Sequence, residues 1–205
     1  PELEAELGFM SEMERYDAFL RLYHSPALDD EKALGALAKS LDPLVPLILL
    51  RFLEDIPEKR ACLMVIRLIE CDNEVVSTAA MGAYGRSHYP GKSRLLKPLI
   101  LSPSFPACRF AVRTLSRAGF MEVLPLILRE LPEKEGEFLT ELIGAVRYLP
   151  HLRSVPVLLP FAEAAEEPVR YLAVDVLGAL QARTRAIPVS FFIGKLKDSS
   201  ARVRR

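Results

Sequence analysis

The chain has 205 residues, half of them hydrophobic, with 27 basic and 27 acidic side chains and no tryptophan. That is enough apolar material for one well-buried domain or for roughly six stacked helix pairs, and too much for a disordered chain. The longest apolar run, LVPLILLRFL (44–53), contains Pro46 and Arg51 and is about half the length a membrane-spanning helix requires, so a span is excluded there in favour of a buried helix.

The formal charge of zero is a cancellation. Residues 1–72 hold 8 Lys/Arg against 15 Asp/Glu, and residues 73–205 hold 19 against 12. From Val75 to Met121 there is no acidic residue and seven basic ones: Arg86, Lys92, Arg94, Lys97, Arg109, Arg113 and Arg117. A local basic surface follows, suited to phosphate or to an acidic partner. The first residues, PELEAELG, are acidic, lack the basic and apolar regions of a secretory leader and have no initiator Met, which reads as a trimmed start or a piece of a longer protein. Cys62, Cys71 and Cys108 are odd in number and far apart among apolar neighbours. They read as free buried thiols rather than a disulfide framework or a metal site, and point to the cytoplasm.

Apolar residues recur at three and four throughout, with no sustained alternation at two, so the predicted class is all-α with no β-sheet. Phe9, Met10, Met13, Tyr16, Phe19, Leu20 and Tyr23 form one stripe on a first helix that ends at His24 to Pro26. Asp29 and Asp30 cap a second helix reaching Ser40, and Asp42 followed by Pro43 starts a third that runs to Asp55. Pro57 opens a fourth, ending at Cys71. Asp72 then caps a helix over 73–87, followed by a turn at Tyr89, Pro90 and Gly91 and a shorter helix over 92–101. Further helices are expected at 105–118, 121–131, 135–149, 153–164, 167–181, 185–197 and from Ser199 onward. Most connections are two to four residues long, which forces antiparallel neighbours.

One helical phrase returns about every thirty residues: DNEVVSTAAMGAYG (72–85), SFPACRFAVRTLSRAG (104–119), EGEFLTELIGAVRYL (135–149) and EEPVRYLAVDVLGALQ (166–181). Each has a small residue near its end: Gly82, Ser116, Gly144 or Gly178. Repetition at this period marks a stacked helical array, in which no unit buries its apolar face alone. With Pro98, Pro125, Pro156 and Pro188 in the intervening helices and Asp72 and Asp198 at the turns, the chain resembles the HEAT-repeat family, well over 42–205 and loosely over 1–41. The resemblance implies a right-handed α-solenoid of about six antiparallel pairs, some 12 to 13 helices in a single domain, with outer A and inner B helices and residues 1–41 as an acidic cap. A local match between 46–59 and 125–138 makes helix 43–55 an A helix, whereas counting alternate helices back from 185–197 makes it a B helix; the count is preferred.

Superposed on their small residues, the B helices bring Arg109 opposite Glu137, Arg113 opposite Glu141 and Arg117 opposite Ala145. Arg109, Arg113 and Arg117, spaced by four, share a helix face. Ion pairs between repeats are the favoured account of Arg109 and Arg113. Arg117, with Arg86, Lys92, Arg94 and Lys97, is left for outside contact. Asp175 and Glu141 read as solvated or paired with Arg147 and Arg170 rather than as an acid/base couple.

Function follows from what the surface offers. The expected role is a non-enzymatic scaffold that binds another protein along its B-helix surface, with no cofactor, no metal and no catalytic residue. Nucleic acid on the basic stretch is the alternative, weakened by the absent tryptophan and by the packing expected of Tyr84, Tyr89, Phe105 and Phe110. Enzymes resembling deoxyhypusine hydroxylase carry His-Glu pairs, but His24, His88 and His151 are followed by Ser, Tyr and Leu. HEAT-like alkylpurine DNA glycosylases rely on a tryptophan beside a carboxylate, which is lacking, and a phycobilin-lyase-like enzyme subunit stays open as a second alternative. The apolar helix 185–197 is expected to be covered by further repeats, a domain or another subunit.

Overall fold

The computed structural model describes residues 10–24, 36–37 and 44–205. Among these every regular element is helical and no strand occurs. Of the expected helix reaching Ser40 only 36–37 are described, and both are helical; the Asp42 cap and Phe9 of the first stripe lie outside the described residues. The chain divides into two compact units, Pro1–Leu96 and Lys97–Arg205.

The first unit contains α1 (Glu12–Tyr23), α2 (Leu44–Glu54), α3 (Lys59–Ile69), α4 (Glu74–Arg86) and the short α5 (Lys92–Leu95). Ser11 and Glu14 open α1 as a reciprocal cap: the Ser11 amide donates to Glu14 Oε2 at 2.7 Å and the Glu14 amide to Ser11 Oγ at 3.4 Å. The expected apolar stripe of α1 splits, because Phe19 and Tyr23 are buried while Met13 and Leu20 face solvent. The buried pair meets Phe52 of α2, with the Tyr23 and Phe52 ring centroids 5.8 Å apart and those of Tyr16 and Phe52 5.1 Å apart, both edge to face.

Tyr23 also ties α1 to the start of α3. Its hydroxyl donates to Glu58 Oε2 at 2.6 Å, and Arg60 lies over its ring at 4.9 Å while donating to its carbonyl. Burial, reinforced by the Glu58 carboxylate, pushes the Tyr23 hydroxyl up to about 12 from 10.0. The folded chain therefore keeps this proton longer than the unfolded one. The stabilisation is intact below pH 10 and is lost as pH climbs towards 12. Urea midpoints measured across that window should fall less in Tyr23→Phe than in the parent.

Helix α4 packs against both α2 and α3, and α3 packs against α2. The side-by-side placement of α2 and α4 agrees with the count and not with the local match to 125–138. The cap of α4 is Asn73 rather than Asp72: its side chain accepts from the amides of Val75 and Val76 at 3.1 and 3.3 Å. Near the other end of α4, a β-carbon added at Gly85 would have no atom within 4 Å. Gly85→Ala is accordingly expected to stabilise the fold by about 0.5 kcal/mol, seen as a higher urea midpoint.

The second unit contains α6 (Phe105–Arg117), α7 (Leu124–Glu130), α8 (Gly136–Val146), α9 (Ser154–Leu158), α10 (Glu167–Thr184) and α11 (Val189–Lys195). Helix α8 packs against α6 on one side and α10 on the other. The segments between these three are broken: 3-10 turns at Lys97–Leu101, Met121–Val123, Leu131–Glu133 and Pro160–Glu163 replace the continuous helices expected over 92–101, 121–131 and 153–164. Prolines are the cause, since Pro98, Pro125, Pro132, Pro156 and Pro160 each remove a backbone donor and crowd the preceding turn. Their apolar side chains still cover the long helices, with Leu99, Ile100, Ile127, Leu131, Leu158 and Ala162 all buried.

The ends of the long helices follow local rules. Gly119, at φ 74°, closes α6: its amide donates to Ser116 O and that of Phe120 to Leu115 O, which returns two orphan carbonyls to use. Helix α10 runs past the expected 181 and stops at Arg185, which takes φ 53° without being glycine. The residues capping α4, α6, α8 and α10 are Asn73, Ser104, Glu135 and Glu166. Each stands 31 positions after the last. In that register the small residues fall at two places one helical turn apart, Gly82 and Gly144 nine after the cap and Ser116 and Gly178 twelve after it. Aligning helices on their small residues therefore slips alternate repeats by a turn.

Candidate basic surface of the second unit

Three ion pairs of one common spacing link helices of the second unit to elements further along the chain. Arg113 of α6 is bidentate to Glu141 of α8, with Nε to Oε1 at 2.6 Å and Nη2 to Oε2 at 2.8 Å. Arg147, just after α8, donates to Asp175 of α10 at 2.5 Å. Arg170 of α10 is bidentate to Asp198 at 2.8 and 3.2 Å, while its Nη1 donates to the carbonyls of Ala164 and Ala165. In every case the acid lies 28 residues after the arginine. The pairing of Arg113 with Glu141 and of Asp175 with Arg147 agrees with the sequence reading. Arg170 instead takes Asp198, whose carboxyl it holds below the ordinary value, with help from the Ser200 amide.

The expected partner of Arg109 is corrected, although Arg113 keeps the offset from which both were read: Arg109 reaches one turn further along α8. Its Nε lies 3.5 Å from Glu141 Oε2 rather than at Glu137. Glu141 thus sits between two guanidiniums and is only 14 % exposed. The hydrogen bond to Glu141 raises the Arg113 pKa, although burial opposes it. With Arg113 partly open to solvent, the pair contributes on the order of 1 kcal/mol.

The remaining basic candidates divide between the units. On the first, Arg86 donates twice to Glu54 Oε2, at 3.0 and 2.7 Å. The Lys92 ammonium spends all three of its protons on the carbonyls of Tyr84, Gly85 and Ser87, and the Tyr84 hydroxyl donates back to Lys92 O. Lys92 is therefore a clasp at the end of α4, which removes it as a contact for a partner. Arg94 is exposed on α5. On the second unit, Lys97 is exposed and makes no ion pair among the described residues. Arg117 is exposed over the ring of Tyr148 at 5.8 Å, rather than unpartnered opposite Ala145.

Arg113, Ser116, Arg117, Glu141, Arg147 and Tyr148 line a groove of about 370 Å³ across α6, α8 and α10. Arg147 also lines a second groove, of about 510 Å³, whose other walls include Tyr171, Gly178, Phe192, Leu196 and Arg202. Three aromatic faces of this unit carry a guanidinium: Phe105 under Arg109 at 5.9 Å, Tyr148 under Arg117 at 5.8 Å and Tyr171 under Arg202 at 4.1 Å. A cation over a ring face is attracted by it, and the N–H donors of a guanidinium suit a carboxylate. A nucleic-acid base stacking on the same ring would compete with that cation. The groups in the grooves are suited to holding anions. The exposed imidazoles of His24, His88 and His151 lie outside both grooves.

The chain matches no protein-family model and no curated protein. Its surface is accordingly read from its own residues. Sequence reasoning did not single out Arg202, Arg204 and Arg205 as site residues, although they stand together in the run RVRR. Asp198 accepts from the Ser200 amide at 2.8 Å and the Arg204 amide donates to Ser200 O, which begins a helical turn where a helix was expected from Ser199. Arg204 caps that turn through the carbonyls of Asp198 and Ser199. The spacing of 28 between arginine and acid was the other available signal. Among the described residues no group of His, Cys, Asp and Glu is arranged to hold a metal, and no helix is long and apolar enough to cross a membrane. Cys62 and Cys108 are buried thiols, while Cys71 is half-exposed rather than buried.

Proposed function

We propose that this protein is a HEAT-like α-solenoid that acts as a non-enzymatic scaffold, holding an acidic segment of another protein along the surface of α6, α8 and α10. The reading of a solenoid is supported by the 31-residue step between helix caps and by the position of α8 between its two sequence-equivalent neighbours. The reading of an acidic protein segment is carried by one observation. The guanidiniums of Arg117 and Arg202 stand over the rings of Tyr148 and Tyr171, 5.8 and 4.1 Å from the centroids, so a ligand meets a cation at each ring. Carboxylate side chains gain from such a cation, whereas a single-stranded nucleic acid gains most from open rings. The buried thiols of Cys62 and Cys108 accord with the reducing conditions of the cytoplasm.

A direct comparison tests this. Fluorescence anisotropy with labelled poly-glutamate and with single-stranded DNA of equal charge should show tighter binding of the peptide. Arg117→Glu should weaken peptide binding about tenfold, equivalent to roughly 1.4 kcal/mol, without moving the melting temperature. Tighter binding of DNA, with a steep salt dependence, would transfer the surface to nucleic acid. Absence of peptide binding at low salt would remove the proposal.

A further inference from the structure

An apolar stripe reaches the second groove at one end. On α11 and the residue that caps it, Val189, Ile193 and Leu196 stand at positions i, i+4 and i+7 and are 65 %, 56 % and 61 % exposed, and of the three Leu196 lines the groove. That spacing makes one stripe of a helix surface, and a stripe so open is unusual on a surface with no partner. Leu196 belongs to the wall of the groove, beside Phe192. Across from it α10 offers small residues, Val174, Gly178 and Ala179. A β-carbon at Gly178 would meet only Phe192, at 4.0 Å, so the floor there is open to the close approach of another backbone.

The rim has the opposite character. Five cationic side chains line this groove against a single carboxylate, Asp175, which is already bonded to Arg147 at 2.5 Å. Lys195 points inward, giving its protons to Ala162 O and Glu163. Arg202 stands over the Tyr171 ring at 4.1 Å, and Arg205 is exposed at the rim. The stripe of α11 thus meets, at Leu196, a small-residue floor bordered by positive charge.

We propose that this groove docks an amphipathic helix of the partner protein, with apolar side chains on its inner face and acidic side chains flanking them. The proposal rests on the scaffold reading above and assigns it a particular site and partner chemistry. A partner helix reads such a surface through anchors spaced at three and four residues, which settle against Leu196, Ile193 and Val189. Acidic residues beside the anchors then reach Arg202 and Arg205. Charge complementarity favours this occupant over a neutral apolar helix, which would leave the guanidiniums without counter-charge, and over a polyanion, which would leave the stripe in water.

Selection of a randomised peptide library on the immobilised whole chain tests the site. Selected peptides should combine Asp or Glu with Leu, Ile or Phe at spacings of three and four. Their affinity should fall at least tenfold in Leu196→Glu and in Arg202→Glu. Leu196 is exposed, so its substitution should leave the melting temperature in place; should Leu196→Glu lower it, Leu196→Ser removes the anchor without adding charge. Acidic peptides that bind the parent and Leu196→Ser equally would overturn this site while leaving the scaffold reading intact. Failure to recover any acidic peptide would overturn both. Self-association of the chain that Leu196→Ser abolishes would assign the stripe to a second copy and overturn the proposal.

Discussion

Phe52→Ala is expected to destabilise the first unit by about 3–5 kcal/mol, the usual cost of emptying a site filled by a large aromatic. The ring is 1 % exposed and has three aromatic neighbours on α1: Tyr16 at 5.1 Å, Phe19 at 6.4 Å and Tyr23 at 5.8 Å between centroids. Removing it leaves α1 docked on α2 through a void, and the rings that packed edge to face lose their common partner. The Tyr23 hydroxyl bond to Glu58 then has to hold without the packing that positions it. Phe52→Leu retains most of the volume and should cost less than half as much. Urea unfolding followed by tyrosine fluorescence distinguishes the two. Equal, small effects of both substitutions would mean that α1 is not anchored at this cluster.

The second large effect combines stability with binding. Glu141→Gln is expected to destabilise the second unit by about 1 kcal/mol and at the same time to tighten the binding of acidic peptides. Glu141 is the counter-charge for both Arg113, at 2.6 Å, and Arg109, at 3.5 Å. Its removal leaves two nearby guanidiniums with one neutral amide between them, so their repulsion is no longer offset. For a chain of this size that loss corresponds to a fall of about 2–4 °C in melting temperature. Of the two, Arg113 lines the groove in which a partner's carboxylates are proposed to lie, and Glu141 competes for it. With the competitor gone, poly-glutamate should bind about threefold to tenfold more tightly. Weaker binding would mean that Glu141 serves to hold the arginines in a receptive position instead of opposing the ligand.

How far these features could be read beforehand depends on the range of the interaction that sets each one. The helical class was legible because apolar spacing at three and four is a property of consecutive residues. Long helices such as α6, α8 and α10 were legible for the same reason, and so was the bidentate pair of Arg113 and Glu141. The intervening helices were read as longer than they are. Their apolar residues have helical spacing, but each proline withdraws one donor and the turn tightens locally to 3-10 geometry. The cap of α4 was displaced by one residue because Asp72 and Asn73 are equally able to accept, and backbone geometry at the helix entry decides between them.

The candidate site was legible only in part. Arg109, Arg113 and Arg117 were visible as a stripe, and Arg117 as the one without an opposing acid. Alignment on the small residues set α6 against α8 at the offset of 28 that Arg113 and Glu141 keep, while Arg109 reaches one turn past Glu137 to the same carboxylate. Lys92 counted as surface charge in the sequence, although its ammonium is folded back onto three carbonyls.

Periodicity and composition thus determined the helical class, the repeat length and which residues carry charge, because those are local or additive properties of the chain. Only the tertiary structure decided which charges remain available. Arg86, Arg113 and Arg147 are matched to acids on neighbouring elements, whereas Arg117 and Arg202 stand over tyrosine rings. A guanidinium's usefulness to a partner depends on what already occupies its five donors, and those occupants come from elements about 30 residues away in the chain.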